Sequence, residues 1–164
     1  MNGLLEETVR RFHKFEVRYI LIGGWAASLH GSMRSTVDID FVYCRSDDNI
    51  RRLVHCLADT QPYLRGAPPG LPFRFDEPTI RAGLNFTLTA SIGDIDLLGE
   101  VAGGGEYDQL LPFTETFSVF GMAIRCVTLE RLIQLKRAAG RPKDFEAVAE
   151  LVALLEERGK LKGT

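Results

Sequence analysis

Residues 22–43, IGGWAASLHGSMRSTVDIDFVY, decide the fold. The stretch opens on a glycine pair, Gly23-Gly24, and closes on two aspartates, Asp38 and Asp40, set among Val, Ile, Phe and Tyr. An unpaired buried carboxylate is costly, so a strand that carries two of them needs a neutralising partner. Successive side chains of a strand alternate faces, which puts Asp38 and Asp40 on one side, about 6.7 Å apart. Val37, Ile39, Phe41 and Tyr43 then face the core. The spacing suits a divalent cation, or a pair of cations, clamped between carboxylates.

A second acid-bearing strand follows at 94–101, DIDLLGEV, where Asp94 and Asp96 again sit two apart. If it lies beside 37–43, Asp96 completes a cluster of three acids. Three carboxylates at this range raise one another's pKa unless a cation is present. Magnesium, an oxygen-seeking ion that binds substrate phosphates, fits such a set best. Asp94 either caps the turn after Gly93 or serves as a base or outer-shell partner. Upstream, Gly23-Gly24 between a strand and a helix lets backbone approach a phosphate closely. Together these features form one constellation: a phosphate cradle, then a metal site.

The rest of the chain reads outward from there. Leu5, Val9 and Phe12 mark one face of a first helix. Residues 17–23 form an apolar strand, WAASLH a short helix with Gly31 as its C-cap, and 37–43 the second strand. Asp47 and Asp48 open a helix with Ile50, Leu53, Val54 and Leu57 at i, i+3, i+4 and i+7. Residues 61–78 hold five of the seven prolines and read as a loop or flap. Strands at 84–91 and 94–101 flank a turn at Gly93, GGGE (103–106) reads as a flexible joint, and 117–127 is a hairpin turning at Gly121. Helices at 128–139 and 142–158 close the chain, split by Gly140 and Pro142. Mixed elements with centrally clustered strands predict an α+β fold, a small mixed sheet packed on helices.

The 164 residues suit one domain, 1–164, with a catalytic core at 1–102 and a C-terminal hairpin and helix pair at 113–164. The N-terminus lacks an apolar signal segment, and no apolar run nears the ~20 residues of a membrane span, so the expected location is cytoplasmic. Cys44, Cys56 and Cys126 lack CxxC spacing and read as buried thiols; His13, His30 and His55 lack zinc-type spacing. A net charge of −2 argues against strong nonspecific nucleic-acid binding.

GGWAASLHGSMRSTVDIDF resembles the signature of the DNA polymerase β-like nucleotidyltransferase superfamily. That signature has a glycine turn at a helix start, D-x-D on the next strand and a third acid on a later one. Gly23, Gly24, Asp38, Asp40 and Asp96 match those positions. The RSTVDID run and LIQLKRAAGRPKDFEAVAELVAL are similar to the small prokaryotic branch, including toxin-type enzymes of abortive-infection systems. The GGW variant is similar to the small antibiotic nucleotidyltransferases. The likeness spans most of residues 17–155. Many members carry serine after the glycine, touching the nucleotide phosphates, whereas Trp25 stands here; Ser28 is the substitute one turn on. Trp25 itself reads as core or pocket wall.

The resemblance implies transfer of a nucleoside monophosphate from a nucleoside triphosphate to an acceptor hydroxyl. Two Mg²⁺ would be bridged by Asp38 and Asp40, with Asp96 ligating the one nearest the hydroxyl. Lys136 falls on the apolar face of its helix with Leu129, Leu132 and Ile133, so it needs an anion, either Asp144 or the triphosphate. Arg34 lies between cradle and acid strand, where it can meet phosphate or solvent. Residues 125–144 carry six basic residues against two acidic ones, the local positive patch. Arg141 and Lys143 in it serve phosphates or only the helix end and solvent, and His30 bonds helix-end carbonyls. The acceptor is RNA such as tRNA, a protein hydroxyl, or a small molecule such as an antibiotic, and a small helical antitoxin-type partner is a further expectation. The rival reading is a catalytically silent nucleotide-binding or antitoxin-like module that kept the fold.

Overall fold

A computed structural model describes residues 3–162; residues 1, 2, 163 and 164, at the ends of the expected domain, lie outside the described residues. The chain opens with α1 (Gly3–Lys14), β1 (Tyr19–Ile22), α2 (Gly23–Leu29), β2 (Ile39–Tyr43) and α3 (Asp47–Leu57). It continues through β3 (Tyr63–Leu64), α4 (Glu77–Ala82), β4 (Asn85–Ala90), β5 (Gly93–Leu98), β6 (Glu100–Val101), β7 (Gly105–Glu106) and α5 (Tyr107–Leu110). The last elements are β8 (Thr114–Val119), β9 (Met122–Val127), α6 (Leu129–Ala139) and α7 (Pro142–Lys162). Seven strands form one mixed sheet in the order β3-β4-β5-β2-β1-β9-β8, the α+β architecture expected.

The register that matters is at the sheet centre. Strand β2 runs antiparallel to β1 and parallel to β5, with Asp40 beside Asp96. The two acid-bearing strands are therefore neighbours. Ile20, Leu21, Ile39, Phe41, Val42, Ile95 and Leu97 are fully buried around them. Each such side chain contributes about 1.5–3 kcal/mol of burial. Phe12 of α1 packs on Tyr19 and Phe41 with ring centroids 4.9 and 4.8 Å away, which seats α1 on the sheet. Asn49, fully buried on α3, accepts from the Arg18 amide (2.7 Å) and donates to the carbonyls of Arg18 and Cys44. It ties the start of β1 to the end of β2, so the register of the acid strand is pinned from below.

Several expected elements fall into place and others are corrected. Helices α3 and α6 open behind the N-caps Ser46 and Thr128, which accept from the amides of Asn49 and Arg131, and α7 opens at Pro142 as read. Gly31 follows the α2 C-cap His30, and the Gly31 and Ser32 amides close back on Ser28 and Ala27. The hairpin at Gly121 forms as read. Val37, however, is 81% exposed, because the strand begins only at Ile39 and residue 37 sits in a bend. The proline-rich 61–78 segment includes the edge strand β3, paired with β4, and Glu77-Pro78 starts α4. GGGE is no flexible joint. It closes the β6–β7 hairpin, and a Cβ on Gly103 or Gly104 would stand 2.8 Å from Ala138 or Leu135 of α6. All three cysteines are buried free thiols.

Candidate active site

Asp38, Asp40 and Asp96 each offer a carboxylate oxygen, and these oxygens lie within 4.8 Å of one another. They form the one such metal-type cluster among the described residues. Burial, a shared hydrogen bond with Asp96 and the charges of Asp38 and Asp96 push the Asp40 carboxyl up to about 8, against a pull from Lys136. An all-oxygen donor set on neighbouring strands, carrying more negative charge than it can hold unaided, fits a hard divalent cation.

The glycine pair explains how this cluster is packed. Gly23 has φ +72°, and a Cβ there would run into the Asp40 carboxylate. A Cβ on Gly24 would stand 2.5 Å from Thr36 Oγ1. The glycines thus make room first for the acid strand and the loop before it, and both border the cavity. That cavity, about 400 Å³, lies between the acid cluster and the helices α6 and α7. Ser32, Ser35 and Thr36 line it from the α2–β2 loop, Lys136, Lys143 and Glu150 from the helices, and Arg141 from the link between α6 and α7.

Lys136 is held on this wall with its side chain 16% exposed and Nζ 3.9 Å from Asp144 Oδ1. Burial lowers its pKa, opposed by Asp144 and, from across the cavity, by Asp40. Asp144 is buried and accepts from Arg141 Nε at 2.8 Å and from the Arg141 amide. Burial alone would raise its pKa, but the Arg141 hydrogen bonds and charge outweigh it and hold the carboxyl below the ordinary value. Glu150 accepts from Ser32 Oγ (2.6 Å) and the Met33 amide (3.1 Å), which fastens the α2–β2 loop to α7.

The structure does not bring every expected residue to the cluster. Ser28 lies outside the cavity lining; its hydroxyl donates to the Gly24 carbonyl at 3.1 Å, the usual back-bond of a helical serine. Ser32, Ser35 and Thr36 stand in the cavity wall instead. Arg34 borders the cavity with its guanidinium 3.6 Å from Glu146. His30 is buried, its Nε2–H bonded to the Val127 carbonyl and its Nδ1 accepting from Arg158. Trp25 packs against the core.

Arg65 is the residue that sequence reasoning passed over. Its Nη2 donates to Asp96 Oδ1 (2.9 Å) and to the Leu88 carbonyl (2.7 Å), Nη1 is 3.9 Å from Asp38, and Nε is 3.5 Å from Asp94. It follows the edge strand β3 in a proline-rich segment, with no periodicity to mark it. The only signal was the unpaid charge of the carboxylates themselves.

The sequence profile described as "Nucleotidyltransferase of unknown function (DUF6036)" matches residues 4–96. No curated relative matches the chain. Among solved structures, the lincosamide antibiotic adenylyltransferase LnuA, in its lincomycin-bound form, is 15% identical over 94% of this chain and 98% of its own, with a TM-score of 0.63. ANT(2″)-Ia in complex with adenylyl-2″-tobramycin is 14% identical over 97% of this chain and 91% of its own, with a TM-score of 0.57. TM1012 from Thermotoga maritima, assigned as a nucleotidyltransferase, is 14% identical over 92% and 91%, also at 0.57.

Proposed function

We propose, for a chain that belongs to the nucleotidyltransferase family DUF6036, a magnesium-dependent transfer of a nucleoside monophosphate to a hydroxyl of a small-molecule acceptor. The observation that carries this reading is the meeting of three carboxylate oxygens within 4.8 Å across a cavity from Lys136 and Arg141. Asp38, Asp40 and Asp96 would hold the ion, which when bound neutralises phosphate charge and lowers the pKa of an acceptor hydroxyl.

The remaining work falls to the chain. Lys136, Arg141 and Lys143 face the triphosphate from α6, α7 and the link between them, where a cationic wall stabilises the departing pyrophosphate. Gly23 and Gly24 set the floor against which the phosphates lie. The acceptor oxygen bonds to the α-phosphorus as the bond to the bridging oxygen breaks, the hydroxyl proton passes to water, and pyrophosphate departs. Asp96, from a different strand than Asp38 and Asp40, orients the hydroxyl. A small acceptor is favoured over RNA because three of the six basic residues of 125–144 border the cavity, which leaves only Arg125 and Arg137 exposed away from it. Lys136, Arg141 and Lys143 turn into the cavity, and Arg131 stacks 3.6 Å over the Phe113 ring. RNA recognition needs a broad phosphate-contacting face.

The test is incubation with each α-labelled nucleoside triphosphate and Mg²⁺, against small-molecule hydroxyl compounds, tRNA and protein in parallel. Label is expected in the small-molecule fraction with pyrophosphate released, and not with the Asp38→Ala/Asp40→Ala variant. Label confined to RNA would overturn the acceptor class. Equal product from the double variant would overturn the site.

A further inference from the structure

Asp38, Asp40 and Asp96 line one side of the cavity, Asp94 stands two residues before Asp96 on β5, and one guanidinium reaches Asp38, Asp94 and Asp96. Arg65 reaches them from the sheet edge. Its amide bonds to the Thr87 carbonyl of β4, and its side chain crosses β4 to Asp94 and Asp96 on β5. The guanidinium is anchored twice, on Leu88 O and Asp96 Oδ1, while its buried Nε makes no hydrogen bond among the described residues. A donor left unmatched at that point, under a two-point anchor, marks a group placed for its charge more than for its hydrogen bonds. Lys136 approaches Asp40 from the opposite wall, on α6. The cluster is thus flanked by cations on the helix side, Lys136 and Arg141 among them, and by Arg65 on the sheet-edge side.

A fixed positive charge beside a metal's carboxylates has a definite sign: it weakens divalent cation binding. We propose that Arg65 is a built-in counter-charge that keeps the Asp38–Asp40–Asp96 cluster a weak divalent-cation site until the negative charge of a nucleoside triphosphate offsets it, so that metal and nucleotide bind together. This rests on the metal-site reading above. Arg65 acts through the carboxylates and is a positioning residue for the ion, not a catalytic one. A unit charge about 6 Å from a divalent ion, even at bulk-water screening, changes affinity about tenfold.

The experiment is Mn²⁺ titration of the full chain, with free Mn²⁺ read by electron paramagnetic resonance, with and without a non-hydrolysable nucleoside triphosphate analogue. Arg65→Gln is expected to bind Mn²⁺ about tenfold more tightly than wild type without nucleotide, and to gain less from the analogue. Arg65→Lys, which keeps the charge, is expected to stay near wild type. If Arg65→Gln does not fold, citrulline installed at position 65 removes the charge while keeping the shape, and carries the same expectation. Unchanged or weaker Mn²⁺ binding by the neutral variant overturns the inference and leaves the metal site standing, as does equal tightening by Arg65→Lys. No Mn²⁺ bound by any of these proteins overturns the metal site, and the inference with it.

Discussion

Asp40 offers a quantitative test of the cluster, because its carboxyl titrates at different pH in the folded and unfolded chain. Unfolded, it loses its proton near 3.9. Folded, burial and the neighbouring Asp96 and Asp38 hold the proton to about 8. Between those values the native state carries a proton that the unfolded state has released, so stability must fall as pH rises. One proton sets the slope at about 1.4 kcal/mol per pH unit, whatever the end points. Groups with lowered pKa, such as Asp144 and Glu150, act in the opposite sense, but their contribution is lost only on acidification below the ordinary carboxylate range. The window from pH 5.5 to 7.5 lies clear of those carboxylates, and across it the stability of wild type relative to Asp40→Asn, which keeps the same histidines, should fall by about 2–3 kcal/mol in chelator.

Asn at this position keeps the shape and has no proton to release. Urea denaturation of Asp40→Asn in EDTA should lack that fall over the same window, so the variant overtakes wild type toward neutral pH. In saturating Mg²⁺ the wild-type slope should shrink, since the ion displaces the proton and its affinity grows with pH. Asp40→Asn should show little Mg²⁺ response. Parallel slopes for the two proteins in EDTA would refute the reasoning: Asp40 would then be ionised throughout, and the crowding of the carboxylates would have no energetic meaning.

Gly23→Ala should cost about 1–2 kcal/mol for the left-handed backbone alone, more once its methyl displaces the Asp40 carboxylate, and should abolish the Mg²⁺-dependent rise in Tm seen by thermal shift. Lys136→Met keeps the buried stem and deletes the charge. Calorimetric titration should show weaker nucleoside triphosphate binding with stability held within about 1 kcal/mol, and unchanged affinity with a clear loss of stability would make Lys136 only Asp144's structural partner. Asp96→Asn should bind nucleotide within a few-fold of wild type while label transfer falls by roughly two orders of magnitude. Normal transfer would remove Asp96 from the mechanism.

The carboxylates were legible because they break a local rule. An acid every second residue within a run of Ile, Phe, Val and Leu contradicts the burial its neighbours demand, and only a shared neutralising site reconciles the two. The pairing of Asp40 with Asp96 was conditional in the sequence and is settled by β2 lying parallel to β5. Where reading failed, the information was not local. Val37 fits the period-2 pattern, yet the strand begins two residues later, since the backbone must first bend around Thr36 packed on Gly24. Ser28 has the spacing of a phosphate contact, but a helical serine finds its own carbonyl first. Arg65 is invisible because β3 has two residues and its pairing with β4 is a tertiary fact.

The site is also divided along the chain in a way that bears on specificity. The matched family segment ends at residue 96, so it contains the glycine turn and all three clustered acids but none of the cationic wall. Lys136 comes from α6, Arg141 from the link before α7 and Asp144 from α7, and Glu150 and Glu146 of α7 tie that wall back to the loop over the glycines through Ser32, Met33 and Arg34. A short glycine turn carries no charge with which to hold a triphosphate against three carboxylates, whose repulsion grows as the phosphates approach. The helices must therefore supply the compensating charge, and Asp144 fixes where it stands. The distance from acid cluster to cationic wall is then set by how α7 docks, through Glu146 and Glu150 on the α2–β2 loop and Arg158 on His30. A change in that docking is expected to alter which nucleotide and acceptor fit while leaving the acid cluster in place.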